Sequence, residues 1–432
     1  MAAWRCVVVS LALLAAASAR AELSALEQRI VDAVKARVPA ALQLLERSVR
    51  ISSSSLDPEG VQAVGRLLRN ELDALGFATR WVDMPAAMKR GGHLLAERPG
   101  DRGQRLLLLG HLDTVFDQAS AQSDWEQRGQ RVRGPGVNDM KGGNVVLIEA
   151  LHALQAVGAL EGARIAVLLT GDEERVGQPV AVSRAELREQ ARRSDAALSF
   201  EGASRIGGDD FASIARRSGA GWVLQVRARP GHSSGVGSSS RGFGAVYEAA
   251  RILDAFRQQV FEPGLTLNPG LIAGGTTVEL DADTASASAR GRNNIIAAGV
   301  QVRGDLRYLS PEQGERARQR MREIVAAHLS GASASIEFSE TYPPMPATEG
   351  SHRLLEAYSR ASQDAGLGPV READASTRGA GDIQFTAPFV PGLDGLGVLG
   401  RGAHTPDEDM DIASLERGAI RAALLIHRLT RP

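Results

Sequence analysis

A run of four leucines, Leu106 to Leu109, leads directly into His111 and Asp113. Such a run is too short for a helix and is typical of a buried strand. Successive side chains of a strand point to opposite faces, so His111 and Asp113 share one face while Leu112 points into the core. An imidazole beside a carboxylate is the arrangement of a metal ligand and the group that orients it. A chance pairing of His and Asp is the alternative for this segment taken alone.

Three more apolar runs end in side chains of the same kind. The strands predicted at Ala163–Thr170, Ala196–Phe200 and Leu396–Leu399 lead, in that order, to Glu173 and Glu174, to Glu201, and to His404. Adjacent carboxylates repel each other and lose hydration unless a cation or a proton lies between them. In open α/β sheets, ligands bind at the carboxyl ends of the strands, so we expect these side chains to lie together. A solvated acidic turn is the alternative for Glu173 and Glu174 considered alone.

A glycine-rich loop at residues 133–143 carries Asp139 and precedes an apolar helix predicted at Val145–Val157. Glycines at a helix N-terminus can cradle a phosphate. The Walker spacing is absent, however, and the central carboxylate of Asp139 would repel an anion. A carboxylate that bridges metal ions fits this loop better.

The cysteine content restricts how a metal could be held. Cys6 is the single cysteine of the chain, and it precedes the apolar stretch of the N-terminal segment. Any metal in the mature chain must therefore be bound by His, Asp and Glu. Two imidazoles and several carboxylates without a thiol suit a dinuclear zinc, cobalt or manganese hydrolase site.

The N-terminal segment predicts export. Arg5 precedes an apolar run from Val7 to Ala17, and small residues follow it. This pattern predicts a signal peptide at residues 1–21, too short to be a stable membrane anchor, and thus a periplasmic or secreted protein. A buried N-terminal helix is the alternative. The net charge of -1 with no block of like charge argues against nucleic-acid binding.

The remaining patterns predict a sheet with helices packed on it. Residues 26–49 have helical periodicity, and Pro39 predicts either two helices or a kink there. A second helix is predicted at Val61–Leu75, with strands at Phe77–Val82 and Gly92–Glu97. A chain of 432 residues suits two domains, or one large domain with an insertion.

The ordered motifs His-x-Asp, Gly-x-Asn-Asp-Met-Lys-Gly-Gly, Asp-Glu-Glu, Phe-Glu-Gly and Ala-His-Thr-Pro resemble the M20 family of zinc metallopeptidases, and the glutamate carboxypeptidase branch is the most similar. The resemblance implies a mixed sheet flanked by helices that carries two Zn²⁺ ions per chain, with Co²⁺ or Mn²⁺ as substitutes. It also implies that Asp139 bridges the metals, with His111 and Glu201 completing one site and Glu174 and His404 the other. Asp113 would orient His111, and Glu173 would be the general base.

The middle of the chain predicts an inserted domain at residues 218–342, between catalytic segments at 22–217 and 343–432. Strands at Trp222–Ala228, near Thr276–Leu280, at Val300–Tyr308 and at Ser335–Phe338 alternate with helices at Phe243–Phe256 and from Pro311, which Ser310 caps. This βαββαβ order resembles the ferredoxin-like lid and dimerisation domain of the family, which implies a homodimer. His232 would then polarise the scissile carbonyl in a neighbouring site, and Asn294 and Arg307 would bind substrate. A purely structural role is the alternative for each of these three residues.

Tyr342 departs from the family pattern, and Arg378 is a further candidate for substrate binding. Tyr342 stands where glutamate-releasing relatives are expected to have arginine, so selectivity for glutamate is in doubt. Arg378 lies in a glycine-rich loop and is a candidate for binding a substrate carboxylate. A solvated surface arginine is the alternative.

These observations predict a metal-dependent hydrolase that cleaves an amide bond next to a free carboxylate in a small molecule, as a carboxypeptidase does. An aminoacylase or a dipeptidase of the same family is the alternative. A non-catalytic periplasmic binding protein is a more remote one, because it would require loss of the metal ligands.

Overall fold

The computed structural model describes residues 23–116, 125–281 and 286–431. The predicted signal peptide lies outside these residues. The helices of the described chain are α1 (Ala25–Val49), α2 (Pro58–Ala74), α3 (Gly142–Ala156), α4 (Val180–Ser183), α5 (Ala185–Arg192), α6 (Ala245–Gln259), α7 (Pro311–Ala326), α8 (Glu349–Asp364) and α9 (Ile412–Thr430). None of them is both long and apolar enough to cross a bilayer.

The strands of the described chain fall into one large sheet, the sheet of the inserted domain and several short ribbons. They are β1 (Ala78–Val82), β2 (His93–Arg98), β3 (Arg102–His111), β4 (Glu126–Arg128), β5 (Arg131–Arg133), β6 (Ala163–Thr170), β7 (Ala196–Ser199), β8 (Ser204–Ile206), β9 (Asp209–Ala212), β10 (Gly219–Ala228), β11 (Thr266–Gly275), β12 (Thr277–Asp281), β13 (Ser286–Arg290), β14 (Gly299–Arg307), β15 (Ala332–Tyr342), β16 (Val370–Glu372), β17 (Gly392–Asp394), β18 (Gly400–Arg401) and β19 (Asp409–Asp411).

The large sheet has the strand order β1-β2-β6-β3-β7-β17. Strands β6, β3, β7 and β17 are mutually parallel, while β1 and β2 are antiparallel to their neighbours. The leucine strand β3 lies inside the sheet, as its sequence predicts. Leu106 and Leu108 enter the core that contains α1, α3 and α9, and Leu107 and Leu109 enter a second core on the other face. The predicted mixed sheet flanked by helices is confirmed.

Helix α1 runs without interruption through Pro39, so the alternative of two separate helices was wrong. Proline removes one backbone donor and disfavours the helix locally. Pro39 lies on the exposed side, whereas Ile30, Val34 and Leu45 pack into the main core on the other side. Burial of that apolar face stabilises the whole helix more than one proline destabilises it.

The inserted domain has its own core and a four-stranded antiparallel sheet in the order β11-β14-β10-β15. With α6 and α7 packed in that core, the element order is βαββαβ, so the predicted ferredoxin-like topology is confirmed. The strand predicted near Thr276–Leu280 is present as β12, but its place in the sheet was wrong: β11 is the second strand of the sheet, and β12 pairs with β13 in a separate hairpin. Pro269 and several glycines disguise β11 in the sequence, and an edge strand tolerates both.

The segment before His404 also differs from its prediction. Residues 396–399 form no strand, although Leu396 and Val398 are fully buried. Gly395, in a left-handed conformation, interrupts the regular backbone directly after β17. His404 therefore follows the short strand β18, which pairs with β19, and this ribbon leads into α9.

Candidate active site

The carboxyl ends of β6, β3 and β7 form one edge of the large sheet, and each end delivers a predicted functional side chain. His111 is the last residue of β3, Glu173 and Glu174 follow β6, and Glu201 follows β7. Because these three strands are parallel neighbours, their ends meet at one place. His111 is 1% exposed, and the side chains of Glu174 and Glu201 are 6% and 13% exposed.

Asp139 lies between the two histidines predicted to bind metal. Its Oδ1 is 3.2 Å from Nε2 of His111, and its Oδ2 is 3.1 Å from Nε2 of His404. Glu201 Oε1 lies 3.7 Å from Nε2 of His111, and Glu174 Oε2 lies 3.1 Å from Nε2 of His404. Each oxygen of Asp139 thus faces a different imidazole, which is the arrangement that a bridging carboxylate requires.

The possible ligand atoms form groups compact enough for single ions. Those of His111, Asp139 and Glu201 lie within 4.8 Å of one another, and so do those of Asp139, Glu174 and His404. These are the two ligand sets that the sequence predicts. A third such group contains His111, Glu173 and Glu174, which places the predicted base beside both ligand sets.

The site has the electrostatic character of a cation-binding centre. Burial, reinforced by Asp139, raises the pKa of Glu201 to about 8, and burial also raises the pKa of Glu173 well above its ordinary value. Hydrogen bonding to Asp139 and Glu174 raises the pKa of His404 to about 10. The cluster therefore favours added positive charge, which divalent cations would supply. In addition, Glu174 Oε1 is buried without a hydrogen-bond partner among the described residues. A nitrogen and oxygen donor set of this kind fits zinc.

Asp113 contacts His111, the residue it is predicted to orient, and also other parts of the site. Nδ1 of His111 lies 3.0 Å from the backbone carbonyl of Asp113 and 3.4 Å from its carboxylate. The carboxylate of Asp113 also accepts the N–H groups of Glu173 and Glu174, at 3.0 and 3.1 Å, and the hydroxyl of Ser55 at 2.6 Å. Asp113 therefore fixes the loop that carries the predicted base.

A cavity of about 660 Å³ joins this edge of the sheet to the inserted domain. Its wall includes Glu173, His404, Arg307, Tyr342 and Arg378. The Tyr342 hydroxyl donates to the backbone carbonyl of Glu173 at 2.7 Å, so the end of β15 contacts the loop that carries the base. A small substrate in this cavity would contact both domains.

Comparison with known families agrees with this geometry. A family model described as peptidase family M20/M25/M40 matches residues 107–428, which include every predicted metal ligand. The chain belongs to peptidase family M20/M25/M40. It is thus a metallopeptidase-type hydrolase that acts on amide bonds, and the prediction of an enzyme with a dinuclear metal centre is confirmed.

Individual relatives of the M20/M25/M40 family cover nearly the whole chain. Carboxypeptidase G2 from Pseudomonas sp. (strain RS-16) is 28% identical over 396 residues, which are 90% of this chain and 89% of the relative. A succinyl-diaminopimelate desuccinylase from Halorhodospira halophila is 25% identical over 391 residues, 87% of this chain and 95% of that protein.

Solved structures show the same fold. Aminopeptidase PepT from Bacillus cereus ATCC 10987 matches with a TM-score of 0.74 and 20% identity, over 91% of this chain and 99% of that one. The M20 family metallo-carboxypeptidase Sso-CP2 from Sulfolobus solfataricus matches with a TM-score of 0.65 and 16% identity, over 90% and 99%.

The two arginines predicted to bind substrate both line the cavity, but their surroundings differ. Arg307 is ion-paired with Asp305, with Nε 2.9 Å from the carboxylate. Arg378 donates instead to the carbonyl of Gly202 at 2.8 Å and to the hydroxyl of Ser204 at 3.2 Å. Its Nε is buried without a hydrogen-bond partner among the described residues. Burial, with Arg216 nearby, lowers the pKa of Arg378, so a substrate anion would relieve an unfavourable charge.

His232 and Asn294 lie together but outside this cavity. Both are exposed, and the N–H of Ser233 donates to the carbonyl of Asn294 at 2.9 Å. Nδ1 of His232 lies 2.9 Å from the hydroxyl of Ser234. Within one chain the structure does not bring either residue to the predicted metal ligands. The role of His232 in a neighbouring site and the binding of substrate by Asn294 stay predictions.

Several buried residues that support the site were not predicted. Glu408 is 1% exposed and binds the loop that carries Asp139. Arg184, also fully buried, bridges Asp172 and Asp382 behind Glu173. Asp172 directly precedes the Glu173–Glu174 pair and could have been noticed there. Arg184 and Glu408 have no comparable sequence signal, because each lies in a segment rich in charged residues.

Proposed function

We propose that this chain is a zinc carboxypeptidase that cleaves an amide bond next to a free carboxylate in an N-acyl amino acid or a short peptide. The observation that supports this substrate class is Arg378, which lines the same cavity as Glu173 and four of the five predicted metal ligands. Within the described part of the chain, no carboxylate lies at ion-pair distance from Arg378. Nη1 and Nη2 of Arg378 each donate once, to Ser204 and Gly202, and each carries a second N–H. A substrate carboxylate would therefore meet a half-buried guanidinium that still has donors to offer.

In the proposed reaction, Glu173 moves the proton. Its position beside both ligand groups and in the cavity wall lets Oε take a proton from the attacking water and return it to the leaving amine nitrogen. Two zinc ions, when bound by the five ligands, supply Lewis-acid activation of the water and of the scissile carbonyl. Asp113 and Tyr342 hold the backbone of Glu173 in place through hydrogen bonds to its N–H and its carbonyl.

Dipeptidase activity is the second candidate, and Asp305 favours it. This carboxylate also lines the cavity, beside Arg307, and could accept the ammonium group of an unblocked dipeptide. The relatives named above include a carboxypeptidase, a desuccinylase and an aminopeptidase, so family membership does not choose between these activities. Retention of both ligand groups removes the reason for considering a non-catalytic binding protein.

The substrate class can be tested with matched pairs of substrates. We expect zinc-loaded protein to hydrolyse an N-acyl amino acid faster than the corresponding carboxamide by about 10- to 150-fold, the value of one charge-assisted hydrogen-bond contact. In Arg378→Met this preference should disappear, mainly because the N-acyl amino acid is hydrolysed more slowly. Arg371→Met, which removes an exposed arginine paired with Asp209, is the matched control. An undiminished preference in Arg378→Met would contradict the assignment.

We propose that the chain is exported to the periplasm or secreted, on the basis of residues 1–21. Protein expressed with its full N-terminus should be recovered outside the cytoplasm and should begin near residue 22 by mass spectrometry. An uncleaved cytoplasmic product would contradict this.

We also propose a homodimer that forms through the inserted domain. Phe243, Val246, Tyr247 and Ile272 are exposed apolar side chains at α6 and the edge strand β11, with exposed fractions of 43%, 51%, 61% and 57%. We call these four residues the apolar patch. The rings of Phe243 and Tyr247 pack edge to face. Several exposed apolar side chains beside an open sheet edge are typical of protein interfaces. The loop of His232 is close by. The side chain of Ile296 lies against Gly244, next to Phe243, and the N–H of Ile296 donates to the carbonyl of Gly231, next to His232.

A further inference from the structure

Glu408 is a buried carboxylate without a role in the proposed reaction. Its Oε2 accepts the N–H of Gly136, and its Oε1 accepts the N–H groups of Asn138 and Asp139, all at 2.8 Å. No basic side chain of the described chain lies at ion-pair distance from it. Three peptide N–H groups therefore take the place of water around this carboxylate, and all three belong to the loop that carries Asp139.

This loop needs an external acceptor to keep its shape. Gly136 has a φ of 71°, and Asp139 has φ -121° and ψ 93°, so the backbone here is not helical. N–H groups just before a helix have no partner inside the helix. Glu408 supplies that partner at Asp139 itself, whose two oxygens face His111 and His404.

Glu408 also anchors the loop that carries His404. Its own N–H donates to the carbonyl of Thr405 at 3.2 Å, and its carbonyl accepts the N–H of Gly134 at 3.2 Å. His404 has a φ of 65°, a conformation that a non-glycine residue adopts only when its surroundings hold it there. One residue thus ties together two segments that are distant in sequence and carry ligands of the same ion.

We propose that Glu408 is a positioning residue that fixes Asp139 and His404 relative to each other and thereby sets the affinity for the metal ion they share with Glu174. This inference rests on the ligand assignment of the proposed function and is independent of the substrate. A displacement of either loop would separate the oxygen of Asp139 from the imidazole of His404.

The test compares Glu408→Gln with Glu149→Gln. Glutamine keeps the volume of Glu408 but turns an amide N–H₂ toward backbone N–H groups. Glu149 is a buried glutamate of α3, 2% exposed and paired with Arg37. Within the described chain, its side chain makes no hydrogen bond or ion pair with the loops of Asp139 and His404. Zinc affinity of the metal-free proteins is measured by competition with a chromophoric chelator. We expect the zinc site of Asp139, Glu174 and His404 to lose affinity by about 10- to 100-fold in Glu408→Gln, so that one of the two binding steps weakens, and neither step to change in the control.

Glu408→Asp keeps the charge on a shorter side chain and should weaken zinc binding by an intermediate factor. Unchanged zinc affinity in Glu408→Gln, with two ions bound to the parent chain, would overturn this inference alone. A parent chain that binds no zinc would overturn the proposed function as well. If neither Glu408 variant folds without metal, by circular dichroism, Glu408 serves the fold and the positioning role is wrong.

Discussion

At the scale of single residues, the proposed reaction depends on which carboxylates bind metal and which one accepts the proton. Asp139, Glu174 and Glu201 each lie within 3.7 Å of an imidazole nitrogen. Glu173 is at ion-pair distance from no histidine of the described chain, and one of its oxygens accepts the Tyr342 hydroxyl. Glu173 is therefore the carboxylate that can lose and gain a proton without giving up a ligand position.

Glu173→Gln tests this division. Glutamine has the same size but cannot accept the proton, so we expect kcat to fall by about 10²- to 10⁴-fold with little change in KM. Metal analysis should still find both ions, because Glu173 belongs to neither ligand set. Near-normal turnover by the variant would show that another group is the base.

Some residues of the site can be predicted from sequence, and others cannot. The predicted metal ligands His111, Glu174 and Glu201 can be found from sequence because each lies at or just beyond the end of an apolar strand. Glu408 is not, since it stands between Asp407 and Asp409 in a run that resembles a solvated turn. Only the fold shows that this one acid of the three is buried and faces the Asp139 loop.

At the scale of elements, the first and last helices of the described chain are tied by one ion pair. Glu27, in the first turn of α1, accepts the N–H of Ser24 in a capping interaction and pairs with Arg428 of α9 at 2.7 Å. Burial alone would raise the pKa of Glu27, but the hydrogen bonds from Ser24 and Arg428 outweigh it and lower the pKa to about 2.

Glu27→Gln should therefore lower the free energy of unfolding by about 1–2 kcal/mol at pH 7. Because the folded pKa lies below the ordinary value of 4.5, this contribution is complete above pH 4.5 and is lost as the pH falls toward 2. Urea unfolding at pH 7, 4 and 3 measures the difference in the free energy of unfolding between parent and variant, which should shrink as the pH falls. Glu46→Gln, which removes a surface pair with Arg50 in the same helix, is the control and should change little. A difference that is independent of pH would contradict the assignment.

Elements with strong periodicity are predictable, whereas those defined by pairing are not. The strands β3 and β6 contain continuous apolar runs, Leu106–Leu109 and Ile165–Leu169, and these runs indicate both strands in the sequence. Strand β11 contains Pro269 and three glycines, and it is a strand because β14 supplies hydrogen bonds along it. Such tertiary hydrogen bonding leaves no mark in local sequence.

At the scale of the whole molecule, the cavity lies between the catalytic domain and the inserted domain. Sequence predicts both domains, but it does not predict which of Arg307 and Arg378 is free of an ion pair. Arg307 pairs within β14 with Asp305. The surroundings of Arg378 depend on its packing against Gly202 and Ser204, which are far from it in the chain.

Charges placed in the apolar patch should dissociate the proposed dimer. Tyr247→Glu combined with Ile272→Glu places two charges in the apolar patch, so we expect the parent to sediment as a dimer and the variant as a monomer. Phe261→Glu, at a similarly exposed position after α6 and outside the patch, should leave the dimer intact. A monomeric parent would contradict the proposal and leave His232 without a neighbouring site.

The most direct test of the central claim is a zinc titration of metal-free protein, with release of free amino acid from an N-acyl amino acid as the readout. The two ligand groups around Asp139 predict no release without metal and a maximum near two zinc equivalents per chain. Release that persists after complete metal removal, or no release at any zinc content across a panel of N-acyl amino acids and dipeptides, would contradict the assignment of a dinuclear zinc amide hydrolase.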